Sequence, residues 1–93
     1  MAKINIYDYE KIHNINEKRV WNLLAKLIEN DDTVCTCRDC ILDIVAITLN
    51  NIPPHYQINE EDYSEAYKKI NEEGIIEQLI IATRIVKTNP HHL

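Results

Sequence analysis

The segment Cys35-Thr36-Cys37-Arg38-Asp39-Cys40 contains every cysteine of the chain, three within six residues. Three thiols this close cannot all pair with one another. Deprotonated sulfur is a metal ligand, so the cluster reads as a metal site before it reads as an oxidised one. Its C-x-C-x-x-C spacing points to structural zinc. The plain alternative is three unligated thiols, one or two of them buried as small hydrophobes. An iron–sulfur cluster would in most cases want a fourth thiolate. The cluster opens an almost wholly apolar run, Ile41-Leu42-Asp43-Ile44-Val45-Ala46-Ile47-Thr48-Leu49-Asn50. Together they predict a metal-fastened loop that feeds a buried helix.

Thr36 and Asp39 form a T-x-x-D capping box, which predicts a helix over 36–50 with Thr36 as its N-cap. Cys37 is then the first helical residue, Cys40 lies one turn on, and Cys35 approaches from the preceding loop. Unpaired backbone N–H groups at a helix start favour thiolate over thiol. At 100° per residue this helix is apolar on nearly every side, and Asp39, Asp43 and Asn50 fall within about 40° of each other. Such a helix is expected at the centre of the fold, its thin polar strip meeting water, a ligand or a polar partner. Pro53 and Pro54 stop it and force an extended turn into Tyr56.

On the N-terminal side, Asn14 with Glu17 suggests another capping box and a helix running to about Glu29. Its stripe is Val20, Leu24 and Leu27, with Trp21 and Ile28 alongside. Asn30-Asp31-Asp32 ends it. Residues 1–13 alternate weakly through Ile4, Ile6, Tyr7, Tyr9 and Ile12, and read as an arm that packs late. Residues 59–70 are polar and helical in pattern, their Glu60-Glu61-Asp62 run suiting a solvated helix start. A last helix spans roughly 71–88, separate from that segment or continuous with it. Its stripe is Ile75, Leu79, Ala82 and Val86, flanked by Ile76 and Ile80 on one side and by Ile81 and Ile85 on the other. That arc is wider than one small core needs. A symmetric homodimer through this helix is the economical explanation; a helix clamped between two others of the same monomer is the bland one. The expected fold is therefore all-α: a small helical bundle with a zinc-stapled loop, one domain over 1–93, with 1–13 as an arm and 35–56 as the motif region.

Ninety-three residues bury roughly 65% of the unfolded surface, enough for one core with little margin. A metal or a partner subunit adds to that margin. The chain carries 15 acidic and 10 basic residues, a formal charge of -5. No cluster of Lys and Arg is visible, which argues against general nucleic-acid binding but leaves room for one small anionic ligand. No segment approaches the ~20 apolar residues of a membrane span, and the start lacks a leader pattern. A soluble, cytoplasmic protein is expected, and an odd cysteine count suits a reducing compartment. With Gly74 the only glycine, phosphate-loop and dinucleotide-fold readings have no support.

Cys35-x-Cys37-x-x-Cys40-x-x-Asp43, followed by Ile44-x-Ala46-x-x-Leu49-Asn50-x-x-Pro53-Pro54-x-Tyr56, resembles the signature of the late competence development protein family, ComFB. The resemblance covers about residues 14–92, with the motif confined to 35–56. It implies a small, helical, dimeric protein that binds zinc through cysteines near this motif. It also implies a link to cyclic dinucleotides, for which some members are proposed receptors. One departure matters. The family's zinc site can draw a fourth cysteine from the C-terminal region, where this chain has Asn89-Pro90-His91-His92. A histidine in that place gives a Cys3His site, a common closed arrangement. His91 or His92 is the expected fourth ligand, with a mobile polar tail as the dull alternative and His55 as the reserve.

Arg38, Asp43, Asn50 and Tyr56 form the ligand hypothesis, with cyclic di-GMP or cyclic di-AMP as candidates. Arg pairs with phosphate, Asp and Asn read base edges or ribose hydroxyls, and Tyr stacks on a base. Each also has a structural reading. Asp43 can hold backbone around the metal loop, Asn50 can cap its helix, and Tyr56 can pack on Pro53 and Pro54. Trp21, Tyr7, Tyr9, Tyr63 and Tyr67 are more often core or dimer contacts than stacking platforms. The expected function is a non-enzymatic regulatory or signalling module. Alternatives are a protein–protein adaptor with no small ligand, a DNA-binding regulator opposed by the acidic balance, and a small zinc enzyme. The last lacks the H-x-E and P-C-x-x-C pairing of zinc deaminases, and the cluster reads as closed.

Overall fold

The computed structural model describes residues 4–59 and 61–89. Four α-helices carry the fold: α1 (Asn16–Asn30), α2 (Arg38–Asn50), α3 (Ser64–Lys69) and α4 (Glu72–Thr88). A 3-10 helix at Ile6–Lys11 precedes them, started by Asn5, whose side chain accepts the Tyr7 N–H. None of its residues is buried.

Helices α1, α2 and α4 pack on one another, with α2 against α4 the most extensive contact. The expected α4 stripe is the centre of the core: Ile75, Leu79 and Ala82 are fully buried and Val86 nearly so. They meet Val20, Leu23 and Leu24 of α1, Ile44 and Val45 of α2, and Val34 and Ile52 from the adjoining loops. Each large aliphatic side chain buried this completely contributes about 1.5–3 kcal/mol. The expected stripe of α1 is inside, Val20 and Leu24 buried and Leu27 and Ile28 packed against the core, and the buried face extends further to one side than expected. Leu23 is inside, while Trp21 is 43% exposed. On α4, Ile81 and Ile85 remain 45% and 43% exposed, and Ile80 also faces outward. The helix thus lies between α1 and α2 of this chain and still leaves apolar side chains outside.

Two expectations about helix starts are corrected. Asn14 serves the start of α1 through the Asn16 N–H rather than through a capping box with Glu17, and Ile15, already at φ -56° and ψ -29°, stands between. Asn14 also lies in a two-residue antiparallel ladder, β1 (His13–Asn14) with β2 (Tyr56–Gln57), in register His13↔Gln57 and Asn14↔Tyr56. The fold is therefore helical with one small ladder. The Asn14 carboxamide oxygen accepts from the Asn16 N–H at 3.2 Å and the His55 N–H at 3.1 Å. One carboxamide oxygen thus serves both the helix start and a distant backbone donor. The buried Asn16 side chain donates to the Pro53 carbonyl at 2.7 Å, and the Ile15 N–H donates to His55 O at 2.8 Å. These bonds pin the entrance of α1 to the turn after α2.

Residues 61–63 are not helical. Asn59 accepts the Glu61 N–H, and Asp62 accepts both the N–H and the hydroxyl of Ser64. Short polar side chains compete with the helix for backbone donors in this way. Nor are α3 and α4 continuous. Ile70 is extended at φ -154°, ψ 132°, and Asn71 starts α4 afresh by accepting the Gly74 N–H at 2.8 Å. Ile70 lies over Gly74 so closely that a Cβ there would come within 2.9 Å of its Cγ1.

The break is held from α1. Arg19, only 5% exposed, donates to Ala66 O at 3.4 Å and to Ile70 O at 2.8 Å. It also donates to the Asn16 side chain at 3.0 Å, and the Tyr67 ring covers its guanidinium at 4.3 Å.

Candidate metal centre

The N-cap of α2 is Cys37, one residue later than the sequence reading placed it, and Arg38 is the first helical residue. The cap is sulfur. Cys37 Sγ accepts the Cys40 N–H at 3.4 Å, and the Cys37 carbonyl accepts the Ile41 N–H at 3.0 Å. Sulfur serves where the Thr36 hydroxyl was expected because Cys37, at φ -63° and ψ 155°, is the last extended residue before the helix. Cap and N3 residue thus both present a thiol at the helix mouth, and the loop folds Cys35 back against them.

The three sulfurs lie within 4.8 Å of one another. Four-coordinate zinc with bonds near 2.3 Å sets its sulfurs about 3.8 Å apart, so small side-chain adjustments bring all three onto one ion. Cys40 is fully buried, while Cys35 and Cys37 are half-buried. None is in a disulfide. The Cys37 thiol is held below its ordinary value, first by the Cys40 N–H, then by the Cys40 side chain and the Cys35 thiol. A sulfur that titrates early and already accepts a backbone donor is prepared to ligate. Together the three thiols are able to hold a metal ion.

Among the described residues, these cysteines are the one group able to hold a metal. His91 and His92 lie outside the described residues. His55, the reserve ligand, is not in the group; its Nε2 is 2.9 Å from Gln57 Oε1.

The loop before the cluster is tied down by polar contacts. Asp31 accepts the Thr33 N–H at 3.0 Å and its hydroxyl as well. Lys87 reaches over from the last turn of α4 to Thr33 Oγ1 at 2.6 Å and to Asp31 at 3.6 Å. These bonds, the Thr33 hydroxyl foremost, hold the Asp31 carboxyl below its ordinary value of 3.8. A cavity of about 220 Å³ opens beside Cys35 between this loop, Ile44 and Val86.

The sequence model for late competence development protein ComFB matches residues 13–90. The chain belongs to the ComFB family. The match starts at the first residue of β1, so the exposed arm before it lies outside the family's span. No curated protein and no solved structure matches the chain.

Arg38, Asp43 and Asn50 of the ComFB-like motif run along α2. Arg38 is exposed at its first residue, Asp43 is half-buried, and Asn50 is exposed at its last. At 1.5 Å rise per residue, Arg38 and Asn50 stand about 18 Å apart along the axis, so a ligand touching both has to lie along the helix. Tyr56 is exposed in β2, opposite Asn14. Sequence reasoning missed Asn16 and Arg19, and the distant partner of Asn14, which together organise the other end of the fold. A signal for two of them existed. Asn16, Arg19 and Leu23 are spaced i, i+3, i+7, which puts two polar side chains on the buried face of α1.

No described helix is long and apolar enough to cross a membrane.

Proposed function

We propose that this protein is a non-enzymatic regulatory or signalling module, a zinc-stapled helical homodimer that responds to a cyclic dinucleotide. Cys35, Cys37 and Cys40 hold the zinc, and a C-terminal histidine, His91 or His92, completes a closed Cys3His site. The observation that carries the reading is the convergence of three sulfurs on the mouth of α2, in a chain of the ComFB family. Zinc there acts as a staple: it joins the α1–α2 loop to the start of the central helix, leaving no open position for chemistry. The outward-facing Ile80, Ile81 and Ile85 of α4 and Leu42 of α2 support a symmetric dimer, because apolar surface of this kind is what a second copy covers. Arg38, Asp43, Asn50 and Tyr56 offer a cyclic dinucleotide one cation, two base-reading groups and one ring.

Protein purified without chelator is expected to carry about one zinc per chain, as a closed site requires. Calorimetry of that metal-loaded protein is expected to give saturable heat with cyclic di-GMP or cyclic di-AMP. Absence of zinc rejects the staple. Absence of heat with both nucleotides, in protein that does hold zinc, removes the ligand and leaves an adaptor that works through the α4 surface.

A further inference from the structure

Helix α4 has two ends. The last turn reaches the cysteine loop through Lys87, whereas Glu72 opens the first turn, about 22 Å away along the axis. At this far end a cleft of about 260 Å³ lies between α1, α3 and the start of α4, lined by Arg19, Asn22, Leu23, Lys26, Tyr63, Tyr67 and Glu72.

Arg19 sets its character. The guanidinium stays charged in a protein, and it is 95% withdrawn from solvent (5% exposed). Among the described residues its hydrogen bonds go to neutral oxygens, Asn16 Oδ1, Ala66 O and Ile70 O, and its Nε has no hydrogen-bond partner. Buried charges are ordinarily paired with an opposite charge, since removal from water is costly. Lys26 adds a second cation to the lining, against the single carboxylate of Glu72. In a chain of net charge -5, this is a local positive spot inside a low-dielectric recess. Two tyrosines give it flat walls. Tyr67 lies on the guanidinium, with Tyr63 tilted 50° to it at 6.1 Å. Tyr67 remains 47% exposed, so one of its surfaces is available for stacking.

We propose that this cleft binds a small planar anion, a single ring bearing a carboxylate or a phosphate. The negative group sits in the field of Arg19 and Lys26, and the ring stacks against Tyr67. The cleft is smaller than the roughly 300 Å³ where drug-sized pockets begin, which limits the ligand to about one ring. The site is independent of the cysteine cluster and of the α2 strip, and it stands whether or not a cyclic dinucleotide binds there.

The test is nitrogen-edited NMR on the full chain, because the Arg19 Nε–H and the amides of Asn22, Lys26, Tyr63 and Tyr67 belong to residues that line the cleft. Benzoate and uridine 5′-monophosphate are the charged probes; benzamide and uridine are their uncharged twins, and inorganic phosphate supplies the charge without a ring. At least one charged probe is expected to move these signals saturably. Its uncharged twin and phosphate alone are expected to bind about ten-fold more weakly, the ratio that loss of one charge-assisted contact gives. Lys26→Ala and Tyr67→Leu change exposed side chains and leave the buried Arg19 in place, so the fold survives in both; each is expected to weaken binding by a similar factor. The proposal is overturned by an absence of shifts with both charged probes at millimolar concentration. It is equally overturned by twins that bind as well as the anions, or by binding unchanged in both variants.

Discussion

The two ends of the three-helix core are closed by different chemistry. At one end, the α1–α2 loop is gathered by three sulfurs around the first turn of α2. At the other, the entrance of α1 is stitched to the turn after α2 by neutral amides: Asn14 to His55, Asn16 to Pro53 and Ile15 to His55. The amide closure is complete within the chain and insensitive to metal, thiol state or moderate pH. The sulfur closure has its ligands in place, but its strength depends on what they hold. A fold built this way keeps one fixed end and one conditional end.

Removing metal is expected to have the largest effect on that contrast. A metal present at a thousandfold over its Kd stabilises the native state by about 4 kcal/mol, and a chelator takes this away. The loss should be uneven. Hydrogen exchange is expected to accelerate over 31–40 while 13–16 and 55–57 keep their protection. Equal acceleration at both ends would mean that the ends are not separable.

Next in size is Asn16→Ala, which leaves the Pro53 carbonyl without its donor and takes from Arg19 Nη1 the shorter of its two acceptors, leaving Ala66 O at 3.4 Å; about 2–3 kcal/mol is expected. Because the site lies at the fixed end, urea denaturation should give the same loss with and without chelator, the two effects adding to within about 0.5 kcal/mol. A loss that vanishes in stripped protein would instead tie Asn16 to the metal end.

The smallest effect is at Asp31. Its carboxyl is held below the ordinary 3.8 by Thr33 and Lys87. A depressed folded-state pKa stabilises above the unfolded value and is lost as pH falls through the folded one. Asp31→Asn should therefore leave acid-side stability, below pH 3.8, nearly unchanged and lower stability slightly at neutral pH. Thermal midpoints measured against pH check this; a variant that falls as steeply as the parent in acid would exclude the contribution.

The conditional end was far more legible in the sequence than the fixed one. Ligands packed into six residues announce themselves by spacing alone, and the apolar period of α4 located its core stripe at Ile75, Leu79, Ala82 and Val86. The cap of α2 was misplaced by one residue because a thiol, a weak acceptor, took the position a hydroxyl usually takes. The fixed end depends on partners far apart in the chain. Asn14 looked like a cap because its local neighbours suit one, yet its carboxamide is shared with a backbone donor 41 residues away. Likewise, the interruption between α3 and α4 follows from Arg19, 51 residues from the carbonyl of Ile70 that it holds. Local pattern cannot register bonds of that separation. The exposure of Trp21 has the same origin, since Asn16 and Arg19 share the buried face with Val20 and Leu23.

The ladder of His13 and Asn14 with Tyr56 and Gln57 is only two residues long, but it is the place where the arm outside the family's span joins the rest. Antiparallel strands in register move together, so a load applied to the arm arrives first at the Pro53–Pro54 corner and, through Asn16, at the foot of α1. A pull on residues 4–12 is therefore felt at β2 and the foot of α1 before it is felt at the cysteine end.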